Sequence, residues 1–353
     1  MSHGYTTVQW NRNKRFYDLA IVVGVVAFVV VYMAVAMARW TGPQALSPEI
    51  VMIRALAACA FAMLTIILCI GPLARLSPRF LPLLYNRRHL GVSFFIVALA
   101  HGGLATVWYH GFGEVNPIVS IYTSDGRFDS LPGFPFQPLG SLALIVFFIM
   151  AATSHDYWNA NLGAPVWKAL HMGVYGAYGL VIGHIALGAL QSEFSGLTSV
   201  FAAGSLVLVA GLHLTAGLAT WRRDSTGLAP SDWVDVGSWR DIPDGRAIGV
   251  QIGSGERIAV FRYDGSKIAA VGNACQHQNG PLCEGRVIDG AITCPWHGFQ
   301  YRPEDGASPP PFTEKIPTYQ VRLDGDRVQV NPTALPPGTP RPVARVHQEQ
   351  ADV

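Results

Sequence analysis

The chain has 353 residues, of which 50% are hydrophobic and 14% charged, and its formal net charge is +2. That near-balance leaves no electrostatic footprint for nucleic acid, and the length allows two domains. Long, almost uncharged blocks fill the first two-thirds, whereas the last third is polar and rich in Gly and Pro. The asymmetry predicts a membrane domain surrounded by lipid, followed by a soluble domain.

A helix needs about 20 apolar residues to cross a bilayer. Six runs are candidates, at 17–38, 51–73, 90–112, 138–153, 167–190 and 199–220, the fourth being short. Residues 1–16 precede them. The first run has a basic start and an Ala36-Met37-Ala38 that resembles a signal-peptidase site, but its apolar core is longer than a signal peptide needs, so a retained helix is expected. Basic residues flank alternate ends: Arg12, Lys14 and Arg15; Arg75, Arg79, Arg87 and Arg88; Lys168; Arg222 and Arg223. The opposite loops carry Glu49, Glu114, Asp125, Asp129 and Glu193 against a single Arg127. By the positive-inside rule both termini are expected in the cytoplasm.

Imidazoles are costly in a bilayer and are functional candidates there. His89 and His101 lie on the third run, and His171 and His184 on the fifth. Both runs cross in the same direction, so residues at equal depth pair as His89 with His171 and His101 with His184. Separations of twelve and thirteen residues correspond to about 18–20 Å of helix. That suits two metal centres stacked across the membrane, with haem iron held between facing helices. His89 follows Arg87-Arg88 and reads equally as a solvated basic residue at the membrane edge. His213 is expected as a reserve ligand or a partner of a haem propionate, and His110 and His155 are expected at the interface. Glycines at 102, 103, 173, 176, 179 and 183 leave room for a macrocycle, or simply for close helix packing. The loop 113–137 is rich in aromatic residues and Pro and is expected outside.

Asn86-Arg87-Arg88-His89-Leu90-Gly91, followed by His101, resembles the third helix of the ferric reductase-like transmembrane family. Trp167-Lys168-Ala169-Leu170-His171, then Tyr175 and His184, resembles its fifth. The resemblance covers roughly 50–220 and is nearest to the haem-binding membrane subunit of the bacterial periplasmic methionine sulfoxide reductase system. It implies one or two b-type haems between the third and fifth helices. In NADPH oxidases the third helix has two ligands fourteen residues apart; here that place holds Arg87, so the inner haem's second ligand is His89, another residue, or absent.

After a linker at 221–232, short β-runs are expected at 247–252, 257–263, 267–271, 291–293, 319–323 and 327–330. Asp264-Gly265, Asp289-Gly290 and Asp324-Gly325 mark turns between them. They predict a small antiparallel β domain over 233–335 and a disordered tail at 336–353. The fold class is therefore multi-domain: an all-α six-helix transmembrane haem bundle followed by a small all-β domain. Within the latter, Cys275-Gln276-His277 is followed, after sixteen intervening residues, by Cys294-Pro295-Trp296-His297-Gly298-Phe299. Two thiolates and two imidazoles suit a [2Fe–2S] centre with Cys275 and Cys294 on one iron and His277 and His297 on the other. A zinc knuckle is the alternative, but Cys-x-His is tight for one. The two segments, with Gln278-Asn279-Gly280-Pro281, resemble Rieske ferredoxins and the Rieske domains of ring-hydroxylating oxygenases. Pro309-Pro310-Pro311-Phe312 resembles the proline loop that shields such a cluster.

Rieske proteins of bc complexes add a disulfide at places that here are Gly280 and Trp296, so none can form there, and Cys283 is expected as a free buried thiol. A disulfide-free cluster fits a reducing cytoplasm and a low potential. No flavin or nicotinamide module and no catalytic iron site is recognisable. The expected function is transmembrane electron transfer in a bacterial cell membrane, from a separate cytoplasmic reductase or ferredoxin, through the Rieske cluster and haem, to an unknown extracytoplasmic acceptor. Ferric reductase-like activity falls within this scheme. Flow from a quinol or periplasmic donor to a cytoplasmic oxygenase, and a membrane redox sensor, are the alternatives.

Overall fold

The computed structural model describes residues 12–42, 45–84, 87–123, 134–154, 162, 164–188, 196–225, 232–252, 257–277, 280–296, 298–310 and 312–346. The chain divides into two compact units: Trp10–Gly71 with Asn86–His213, and Met1–Gln9 with Pro72–Tyr85 and Leu214–Val353. Helices run in the order α1 (Arg12–Arg39), α2 (Pro48–Leu76), α3 (Leu81–Leu84), α4 (Arg87–His110), α5 (Pro117–Thr123), α6 (Gln137–Thr153), α7 (Ala164–Leu187) and α8 (Gly196–Ser225).

Five of these, α1, α2, α4, α7 and α8, are long and apolar enough to cross a membrane. The fourth expected span is α6, which has 17 residues. Helix α5 lies in the aromatic loop, of which 124–133 fall outside the described residues. Helix α8 runs on to Ser225, into the stretch expected to be a linker.

Apolar composition all round a helix leaves small residues and aromatic rings to set the packing. Helix α6 packs against both α4 and α7. Against α4, the Phe94 and Phe147 rings meet edge to face at 4.8 Å, and Gly102 leaves space for Leu144. Against α7, Gly140 faces His184, Leu139 faces Gly183 and Val146 faces Gly173. Residue numbers rise along one helix as they fall along the other in both contacts, so α6 is antiparallel to each, and α4 and α7 are parallel. Helix α2 buries most of its apolar window, whereas α1 buries almost none of its own. Thr65 and Tyr178 both reach the buried Ser205 hydroxyl, at 2.7 and 2.8 Å, so these polar groups in an apolar setting satisfy one another.

The β domain holds three small sheets: β1 (Val234–Ser238), β10 (Arg327–Val330) and β9 (Val321–Asp324); β11 (Ala344–Arg345), β4 (Lys267–Gly272), β3 (Arg257–Tyr263) and β2 (Arg246–Gln251), with β8 (Thr318–Tyr319) also on β4; and β5 (Arg286–Ile288), β6 (Ala291–Thr293) and β7 (Gln300–Tyr301). Strand β3 alternates between two cores, as a period of two requires. Ile258 and Val260 enter one with Ile268, Val328 and Val330, while Ala259 and Phe261 enter the other with Cys275, Cys294 and Tyr301. The expected strands 257–263, 291–293 and 327–330 are observed with those bounds, and 319–323 is split between β8 and β9.

The tail is the main correction. Residues 336–346, expected to be disordered for lack of apolar residues, are folded onto the domain: Ala344 and Arg345 pair with Ile268 and Lys267 on β4. Arg341 is buried and donates from Nη2 to the carbonyls of Ala270, at 3.0 Å, and Pro303, at 3.3 Å. Hydrogen bonds anchor this segment together with Ala344 and Val346, which pack against the core, and composition does not reveal them. Burial draws the guanidinium pKa down to about 10. Arg341→Ala is expected to lower the stability of the β domain by about 2 kcal/mol and its thermal midpoint by about 10 °C, read from the visible absorbance of the loaded protein on heating.

Candidate metal centres

The β5–β6 hairpin closes through Asp289-Gly290, both with positive φ, as a two-residue turn of primed type requires. It sets side by side the loop before β5, with Cys275 and His277, and the loop after β6, which begins at Cys294. The first loop is pinned by Cys275 N–H to the Gly280 carbonyl, at 3.0 Å, and Cys283 N–H to Asn273 Oδ1, at 2.7 Å. In the second, Cys294 N–H donates to the Phe299 carbonyl at 2.8 Å, and Gly298 takes the left-handed conformation that the reversal needs.

Gly280 brings the loops together. A Cβ there would lie 2.6 Å from Cys294 Sγ and 3.2 Å from the Trp296 ring, so only glycine lets the sulfur approach. Cys275 and Cys294 are each 1% exposed and share one core with Leu282, Ile292, Phe299, Tyr301 and Ile316. Their environment is that of ligands to a buried group, reached by no solvent.

Three aromatic residues complete the surroundings. The Tyr301 oxygen accepts from Gln276 N–H at 2.9 Å, which leaves its O–H for Cys275 Sγ at 3.3 Å. Burial first, and then the charge on Cys275, push the Tyr301 phenol well above its ordinary pKa, so it stays a donor. The Phe299 ring stacks on His277 at 5.1 Å and 6°. Phe312, from the predicted shielding loop, packs edge-on against Phe299 at 4.9 Å. His297 lies outside the described residues, and among those described no three metal-ligating side chains gather at one point. Cys283 packs against Gly249, and burial raises its thiol to about 11, which keeps it protonated and inert. Among the described residues no cysteine is in a disulfide.

In the helical unit, His101 on α4 and His184 on α7 face each other with ring centroids 6.4 Å apart. An iron–nitrogen bond of about 2 Å plus about 1.1 Å to the ring centre would put two imidazoles on one iron roughly 6.2 Å apart. His101 Nδ1 bonds to the Ile53 carbonyl at 3.0 Å and His184 Nδ1 to the Phe136 carbonyl at 2.9 Å. Each bond fixes the tautomer and leaves Nε2 as the lone-pair atom, as metal-bound histidines require. Gly140 forms the cradle for His184: a Cβ there would sit 2.8 Å from its Nδ1. Nothing lies within 4 Å of where a Cβ would stand at Gly103, Gly176 or Gly179. The residues present fit a haem.

His171 sits lower on α7, with Nδ1 on the Trp167 carbonyl at 3.0 Å and its ring stacked on Trp167 at 3.7 Å. Ser154 Oγ is 3.5 Å from its Nε2. His89 on α4 meets a carboxylate instead, with Nδ1 2.8 Å from Asp18 Oδ1 on α1. His213 has both nitrogens engaged, by the Val209 carbonyl and by the Tyr175 hydroxyl, each at 2.9 Å. His110 bonds to Ser120 near the end of α4, and His155 lies outside the described residues. Asp18, Gly140 and Tyr301 have no signal in motif spacing. Only Asp18 could have been singled out, as the one acid of an apolar helix.

Comparison with known proteins gives two family matches. Residues 232–320 match the Rieske [2Fe-2S] domain, and residues 55–182 match the ferric reductase like transmembrane component. The ferredoxin component of a naphthalene 1,2-dioxygenase system from Pseudomonas aeruginosa is 31% identical over 28% of this chain and 94% of its own length. The corresponding ferredoxin of naphthalene 1,2-dioxygenase/salicylate 5-hydroxylase systems from Ralstonia is 32% identical over the same shares, 28% and 94%. Among solved structures, the ferredoxin of carbazole 1,9a-dioxygenase from Nocardioides aromaticivorans is 24% identical, with 29% of this chain and 100% of that one covered and a TM-score of 0.27.

Removing the Tyr301 hydroxyl takes a hydrogen bond from the sulfur of Cys275, a candidate ligand, and such bonds raise the potential of an iron–sulfur group. Tyr301→Phe is expected to lower the midpoint by about 40 mV, equivalent to about 1 kcal/mol for one electron, in an EPR-monitored titration.

Proposed function

We propose, for a chain that belongs to the Rieske [2Fe–2S] family through its β domain and carries a ferric reductase-like transmembrane domain before it, that it transfers electrons across a membrane, from a cytoplasmic donor to an acceptor outside. The bound groups would supply one-electron chemistry, a [2Fe–2S] cluster on Cys275, Cys294, His277 and His297 and b-type haem on His101 with His184 and on His89 with His171. The domain bounds proposed are those expected from the sequence, with the β domain extended to residue 346.

The opposed pair His101 and His184 carries the proposal. Two imidazoles with their Nδ1 atoms tied to carbonyls and a gap of one metal between them have no structural need for this arrangement in an apolar bundle. The residues of the chain then have distinct tasks. Ile53 and Phe136 hold the outer rings by their carbonyls, Gly140 admits one of them, and Gly280 admits the second cluster sulfur. Tyr301 stabilises the thiolate of Cys275, and Phe299 and Phe312 keep water from His277. We place six helices across the bilayer, α6 being the short one, with both termini and the β domain on the cytoplasmic side, where the basic residues gather. The related ferredoxins serve dioxygenase systems, which supports a separate reductase or ferredoxin as the donor here. The acceptor outside is identified only as a one-electron oxidant.

Two substitutions test the assignment in the purified full-length protein. His184→Leu is expected to lose one haem by absorbance while keeping the cluster's EPR signal. Cys275→Ser is expected to do the reverse. Full haem content in both His184→Leu and His101→Leu would overturn the ligand assignment.

A further inference from the structure

Asp18 is the one acidic residue of α1, the most lipid-exposed of the long helices. Its carboxylate lies 2.8 Å from His89 Nδ1, 71 positions away in sequence. A carboxylate within a span is costly and is kept where it pairs or works. His101, His171 and His184 place Nδ1 on main-chain carbonyls, whereas His89 places it on a carboxylate. Among the described residues nothing bonds to His89 Nε2, the atom a metal would take.

The depth of His89 agrees with that role. Helices α4 and α7 are parallel and their outer histidines face each other. Twelve residues back from His101 and thirteen back from His184 reach His89 and His171 at nearly one level.

We infer that Asp18 is a positioning residue which, through His89, holds the inner haem at a lower potential than the outer one. This rests on the reading of His89 and His171 as a ligand pair. A carboxylate accepting the Nδ1 proton makes imidazole a stronger donor and brings negative charge toward the metal. Both effects favour the oxidised, more positive iron. Carbonyl acceptors at His101 and His184 do so less. The unequal pair makes transfer from the cytoplasmic side outward downhill, using one side chain from a helix that holds neither haem.

The test is a spectroelectrochemical titration of the purified full-length protein, with haem counted per chain, for wild type, Asp18→Asn, Asp18→Glu and His89→Leu. Asp18→Asn keeps the shape and removes the charge. Its reduction equilibrium is expected to shift about tenfold toward the reduced form at one haem, which is about 59 mV, with the other haem and the cluster unmoved. Asp18→Glu is expected to return most of that shift. Full haem content with both midpoints unmoved in Asp18→Asn overturns the role of Asp18 while leaving the ligand pair standing if His89→Leu loses one haem. Unchanged haem content in His89→Leu overturns the ligand pair itself, and the inference with it. Should Asp18→Asn shed the inner haem, its retention by Asp18→Glu supports the inference and its loss overturns it.

Discussion

An imidazole placed in hydrocarbon must find an acceptor for its N–H, because leaving one unbonded there costs several kcal/mol. That requirement decides which nitrogen of each intramembrane histidine remains available. His171 and His213 solve it locally, each using the carbonyl four residues back, which ties the ring to its own helix. His101 and His184 solve it at a distance, with carbonyls 48 residues away at Ile53 and Phe136. The outer pair is therefore held by the mutual placement of α2, α4, α7 and the residue that precedes α6. A shift of any of them would be felt at the gap between the two rings.

Close approach is the second constraint, and both centres meet it with glycine. At Gly140 a side chain would collide with the imidazole of His184, and at Gly280 with the sulfur of Cys294. Neither glycine has a positive φ, so backbone conformation is not what demands it. Each is required because a candidate ligand lies close against the main chain, where a Cβ would come within 2.8 Å of the imidazole and 2.6 Å of the sulfur. On α4 and α7, Gly103, Gly176 and Gly179 face open space, whereas Gly102 and Gly183 admit the side chains of Leu144 and Leu139. A shared small size thus serves two purposes in one bundle, and sequence alone does not separate them.

What could be read in advance follows from range. The cluster loops were legible because their candidate ligands come in tight pairs, Cys275 with His277 and Cys294 with His297, and because Asp289-Gly290 announces the hairpin between them. The apolar spans were legible by length. Strands β1, β5, β7 and β11 were not: β5, β7 and β11 are only two or three residues long, and β1 and β11 are defined by partners far along the chain, as Val234 is by Val330 and Ala344 by Ile268. The tail misled for a related reason: Pro-rich composition suggests disorder, but Arg341 and β11 anchor it through backbone carbonyls and strand pairing. Equal depth of His101 and His184 could be counted from helix rise. The Asp18–His89 contact could not, because it joins helices whose relative rotation no periodicity records.

Among the described residues, the candidate ligands at both sites are held by something other than a metal. Cys275 is fixed by the Gly280 carbonyl and met by the Tyr301 hydroxyl, His277 lies on Phe299, and the outer histidines are bound to carbonyls. A one-electron carrier changes charge without changing bonds, so motion of its ligands on reduction only slows it. Side chains locked from a second direction have little room to move when the charge changes. The same locking makes each centre's potential a property of its neighbours: a phenol beside one sulfur, carbonyls behind two imidazoles, a carboxylate behind another. The chain can thus order its centres in energy by choosing those neighbours, with the ligand types unchanged.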